Sequence, residues 1–124
     1  MAPKRPKPAE ITITVSRDGD RDIVFLGTLI GQGEANDYTA RIYRTSSGKF
    51  IASLHYDHLS MHTKRGKVAE NAEGVAEFFT EDRTSGDGKT RVTSRYLNDA
   101  GKLAMQDAAH VEPSFRERGF EIVE

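Results

Sequence analysis

Between Asn36 and Leu59 the chain carries the pattern that most narrows its possible folds. Tyr38-Thr-Ala-Arg-Ile-Tyr-Arg-Thr45 and Phe50-Ile-Ala-Ser-Leu-His-Tyr56 flank the turn sequence Ser46-Ser47-Gly48-Lys49. Side chains alternate faces along a strand, so Tyr38, Ala40 and Ile42 share one face of the first segment. Phe50, Ala52, Leu54 and Tyr56 share the matching face of the second. The pattern predicts a β-hairpin, with Thr39, Arg41, Tyr43, Ile51, Ser53 and His55 on a mixed, partly aromatic opposite face.

Two more strands are expected ahead of it. Ile11, Ile13 and Val15 alternate along a first strand, and Arg17-Asp-Gly-Asp-Arg21 follows as a turn, because Asp-Gly accepts the positive φ of a tight reversal. Ile23 to Leu29 or beyond is apolar on both faces, which suits a central strand covered on one face by helices. Gly31-Gln-Gly-Glu-Ala-Asn-Asp37 then reads as a connecting loop, which makes the whole a four-stranded meander.

Beyond Leu59 the periodicity changes. Ser60 to Lys67 is polar and basic; Asn71 can then cap a helix bearing Ala72, Val75, Phe78 and Phe79 on one stripe. Glu81 to Lys89 holds two glycines in a polar run and reads as a loop. A second helix is expected from about Ser94 to His110, with Leu97, Ala100, Ala104, Ala108 and Val111 on one stripe and Leu103 beside it. Asn98 or Asp99 could instead cap a shorter version, and Pro113 stops either. Gly119 to Glu124 alternates again and suggests a short edge strand. Strands followed by helices imply an α+β domain, an antiparallel sheet with both helices on one face. That domain would span 10–124, behind a basic, proline-rich, disordered tail at 1–9.

Composition limits the functional classes. Eighteen basic side chains against nineteen acidic ones leave a net charge of −1, so no overall field draws the chain to polyanions. A nucleic-acid site would have to be local, built from Lys4, Arg5 and Lys7 of the tail with Lys64, Arg65 and Lys67. The absence of cysteine removes disulfides, thiolate metal sites and cysteine nucleophiles together. Ile23 to Ile30, the longest apolar run, is too short to cross a bilayer. The expectation is a soluble cytoplasmic protein that makes no membrane contact.

Chemistry-bearing motifs are weak. His55, Asp57, His58 and His62 are metal-binding residue types, and their spacing permits, without implying, the convergence of three or four of them that a zinc site requires. His55 and His58 could each act as a general base, since imidazole titrates near neutrality. Gly86-Asp-Gly88-Lys89-Thr90 resembles the end of a phosphate loop, but Arg83 stands where that motif needs glycine. Gly31-Gln-Gly33 has no third glycine ahead of a helix. Glu70, Glu73 and Glu77 fit the solvated side of a helix, and no serine occupies a nucleophile elbow. The expectation is a non-enzyme without cofactor.

The segment Tyr43-Arg-Thr-Ser-Ser-Gly-Lys-Phe-Ile-Ala-Ser, followed by Val75-Ala-Glu-Phe-Phe and a second helix, resembles the layout of small uncharacterised bacterial proteins encoded on mobile elements. The resemblance implies a bacterial or phage cytoplasm and transfers no functional residue. The expected function is that of an accessory, regulatory or inhibitory factor bound to a protein partner or to itself. Its interface would be Arg41, Tyr43, Ile51, Ser53 and His55. Nucleic-acid binding through the arm and the basic, aromatic sheet surface is the alternative.

Overall fold

The computed structural model describes residues 10–86 and 91–117. Five strands run β1 (Ile11–Val15), β2 (Ile23–Ala35), β3 (Tyr38–Thr45), β4 (Phe50–His58) and β5 (Met61–Ala69) in one antiparallel sheet, ordered as they occur in the chain. Helix α1 (Ala72–Phe79) follows, then a separate hairpin of β6 (Thr80–Gly86) and β7 (Arg91–Leu97), helix α2 (Asp99–Ala108) and a 3-10 turn (Pro113–Glu117). The α+β antiparallel class expected from the sequence is present. The expected tail and the final strand fall outside the described residues.

The predicted hairpin forms in the register that alternation requires. Ala40 lies opposite Leu54, Ile42 opposite Ala52 and Tyr43 opposite Ile51. Ala40, Ile42, Phe50, Ala52 and Leu54 enter one buried cluster with Ala72, Val75 and Phe79 of α1 and Ala100, Ala104, Met105 and Ala108 of α2. Each helix has an asparagine at its start: Asn71 Oδ1 accepts from Gly74 N at 2.9 Å, and Asn98 Oδ1 accepts from Ala100 N and Gly101 N. These bonds satisfy amides that a helix start leaves without carbonyl partners.

Four expectations need correction. First, the sheet has five strands instead of four, because the basic stretch after Ser60 is β5, paired from Met61 to Ala69 with β4. An edge strand whose side chains are largely solvated carries no apolar alternation, and lysines and arginines there discourage further pairing. Second, Gly31 to Ala35 is strand, and the reversal is confined to Asn36 and Asp37 with φ of 53° and 66°. Asparagine and aspartate tolerate this left-handed region better than most residues.

The glycines taken for a loop signal lie under α2. A Cβ on Gly31 would stand 2.3 Å from the Ala104 carbonyl oxygen, and one on Gly33 2.5 Å from that of Ala100. The helix therefore rests on bare strand backbone. Third, residues 81–86 are strand and not loop, and fourth, the longer helix from Ser94 does not form: 91–97 is the strand β7, and α2 is the shorter alternative, Asp99–Ala108 capped by Asn98. Tertiary pairing overrides the helical spacing read from Ser94 onward.

Curling of the sheet decides what is exposed. A register shift between Leu29 and Gly31 bends β2, which pairs with β1 from Ile23 to Gly27 and with β3 from Gly27 to Ala35. Bulges increase local twist in this way. The outermost strands then meet at one end: Asp18 N donates to Lys64 O at 2.8 Å, and Lys64 N donates to Asp18 Oδ2 at 2.8 Å. Val15 Cγ1 lies only 2.9 Å from where a Gly66 Cβ would stand, a closeness only glycine permits.

Candidate functional site

Curling alters the status of the face expected to be an interface. Ile51 is 1% exposed and Ser53 3%, with Val15 of β1 at 4%. Phe25 meets Tyr43 edge to face at 5.4 Å between ring centres. Ile51 and Ser53 are therefore interior residues, while Arg41, Tyr43 and His55 remain half-buried. The expectation of an open surface there is corrected: apolar alternation identifies a covered face but not whether a later bend covers its reverse.

His55, Asp57, His58 and His62 lie along the β4–β5 hairpin and separate onto two faces. Asp57 sits opposite His62, and His55 opposite Lys64. His62 Nδ1 contacts Asp57, whereas His58 points the other way and its Nδ1 meets Asp37 Oδ2 at 2.7 Å. Among the described residues no three histidines or carboxylates converge as a metal site would need. Burial holds the His55 imidazole below its ordinary value, with Arg41 and Lys64 adding to the effect and Asp18 and Asp57 opposing it.

Basic side chains are similarly divided. Lys64 projects on the face of His55, while Arg65 and Lys67 are opposite Leu54 and Ala52 and so project on the other. The Arg65 guanidinium stands over the Phe78 ring at 5.4 Å and 3.8 Å from Glu81. Arg17, Lys64, Arg65, Lys67 and Phe78 border one shallow depression together with Asp18 and Asp20. Lys4, Arg5 and Lys7 lie outside the described residues. No helix among those residues is long and apolar enough to cross a membrane.

Two surface features emerge that the sequence did not nominate. The outward side of the β1–β2 ribbon shows Val24, 63% exposed, and Leu26, 46% exposed. Thr14 and Thr12 lie directly opposite them. β1 is also terminal in the sheet order, so its outer edge offers backbone groups to a further strand.

The second feature is a polar cleft of about 460 Å³ where the β2–β3 turn, the β6–β7 hairpin and the start of α2 meet. Asn36, Tyr38, Glu81, Tyr96, Asn98 and Asp99 line it with Ala35. The Tyr96 hydroxyl donates to Glu81 Oε2, and Asn36 Nδ2 donates to Asp99 Oδ2 at 3.1 Å. The Tyr38 ring packs on Tyr56 at 4.9 Å. Burial, with help from Glu81, Tyr96 and Tyr56 and against Arg65, raises the Tyr38 hydroxyl above its ordinary value, so it stays a proton donor. The polar run around Glu81 resembles a loop and the spacing around Tyr96 a helix, so neither residue stands out in sequence; the alternation of Val92, Ser94 and Tyr96 is the signal for the strand.

Comparison with known proteins gives no further guide: no family model, curated protein or solved structure matches this chain.

Proposed function

We propose that this chain is a small non-catalytic binding protein that docks on a protein partner through the outward side of the β1–β2 ribbon. One observation carries the reading: Val24 and Leu26 are 63% and 46% exposed on the ribbon that ends the sheet. Neighbouring exposed apolar groups on one face favour a partner that removes them from water, since partner surfaces are built around small apolar centres. Among the described residues no strand pairs along the outer edge of β1, and this adds direction. It suits an extended segment of the partner, whose backbone would continue the sheet while its side chains meet Val24 and Leu26.

The alternative, nucleic-acid binding through the arm with Lys64, Arg65 and Lys67, has less in its favour. Arg65 is engaged by Glu81 and Phe78, and Lys64 projects away from the other two. The test is the paired substitution Val24→Lys and Leu26→Glu, at positions exposed enough for the fold to accept charge. A partner recovered from source-cell lysate with the native chain should be lost with the variant while circular dichroism is unchanged. Equal recovery by both chains would refute the assignment. Retardation of nucleic acid that weakens steeply with salt would favour the alternative.

A further inference from the structure

The cleft beside α2 has a chemistry that the docking proposal does not use. We propose that it is a binding site for a small primary amine bearing an adjacent carbonyl group, the arrangement found in an amino-acid amide or at the amino terminus of a peptide. At about 460 Å³ the cleft falls within the range of small-molecule sites.

The amine half follows from acceptors and rings. Glu81 and Asp99 both line the cleft, and each carboxylate retains acceptor capacity after its bonds to Tyr96 and Asn36. The Glu81 side chain is 19% exposed, so a charge placed against it is weakly screened. Tyr38 and Tyr96 supply aromatic walls, which favour an organic cation over a metal ion. Arg65, 3.8 Å from Glu81, offsets part of the negative charge, which fits one ammonium group and not two.

The carbonyl half rests on an independent observation. Asn98 is 4% exposed and lines the same cleft. Its Oδ1 is consumed by Ala100 N and Gly101 N, leaving Nδ2 without an acceptor among the described residues. A buried amide donor without a partner is costly and uncommon in folded chains. A carbonyl oxygen of the ligand would satisfy it, with the Tyr38 hydroxyl as a second donor. A carboxylate in that place would face Asp99, so the neutral carbonyl of an amide is the better match.

Titration of the full chain with alaninamide, followed by nuclear magnetic resonance of the Asn98 side-chain amide, tests this directly. A saturable shift of that signal is expected, absent with N-acetylalaninamide, which lacks the charge, and weaker with alanine. Glu81→Gln and Asp99→Asn keep the size and the acceptor oxygens, and each should weaken binding roughly tenfold or more, as loss of a charged hydrogen bond does. Trialaninamide separates the two sources: tighter binding than alaninamide identifies a peptide terminus, and weaker binding a free small molecule. No shift at Asn98 with alaninamide or trialaninamide at millimolar concentration, or equal shifts with the acetylated compound, would overturn the proposal.

Discussion

Adding one methyl group at Gly33 is the sharpest test of how α2 is seated. The new Cβ would stand 2.5 Å from Ala100 O and 2.6 Å from both Ala104 N and Leu103 Cβ, where ordinary contact begins near 3.4 Å. Two of those atoms belong to helix backbone, so no side-chain rotation relieves the clash, and α2 has to lift by most of an ångström. Overpacking of a well-filled core costs about 1–3 kcal/mol, and an obstruction by backbone belongs at the upper end. A loss near 3 kcal/mol is a large part of the roughly 5–15 kcal/mol that stabilises a domain. With a urea dependence of about 2 kcal/mol/M, the unfolding midpoint of Gly33→Ala should fall by roughly 1.5 M. Gly31→Ala should behave similarly. The double variant should lose less than the two losses added, because one displacement of the helix relieves both clashes. A Gly33→Ala chain within about 0.5 kcal/mol of the native one would refute the argument that the helix rests on bare backbone.

Further predictions concern the sheet interior. Ile51→Ala removes a side chain that is 1% exposed and should cost about 2–5 kcal/mol by urea unfolding; a loss under about 0.5 kcal/mol would return that residue to the surface. His55 is held below 6.5 in the folded chain, so on acidification the unfolded chain takes up the proton first. Its contribution to stability is therefore complete above about 6.5, declines as pH falls through the window below that value, and levels off beneath the folded value. The difference in unfolding midpoint between native and His55→Gln chains, followed from pH 8 to about pH 4, should show that decline; a flat difference would contradict it.

The legible parts of the fold were those in which one face of an element is buried and the other is wet. The Ala72, Val75, Phe79 stripe meets that condition, while the Tyr38–Tyr56 hairpin forms in the register its alternation requires although Ile51 and Ser53 on its reverse face are buried as well. β5 does not, because its side chains are solvated almost throughout, and polar sequence alone cannot separate an edge strand from a loop. Gly31 and Gly33 carried real information that was assigned to the wrong cause. Two glycines in a polar setting mark either a turn or a close approach of backbone, and only the position of α2 distinguishes them. The cleft was hidden for a related reason: Asn36, Glu81 and Asn98 are distant in sequence and meet only when the β6–β7 hairpin returns the chain to the end of the sheet. Asn98 was nonetheless noted as a cap, and it caps α2.

Curling of the sheet until its first and last strands touch is what buries Ile51 and Ser53 and turns Val24 and Leu26 outward. A nuclear Overhauser spectrum of the native chain tests that contact most directly. It should contain a cross-peak between the Val15 methyl groups and the Gly66 α-protons, alongside slow exchange of the Asp18 amide. Absence of that cross-peak, with the Phe25 to Tyr43 ring contacts also missing, would mean an open sheet and would remove the basis for the β1–β2 docking surface.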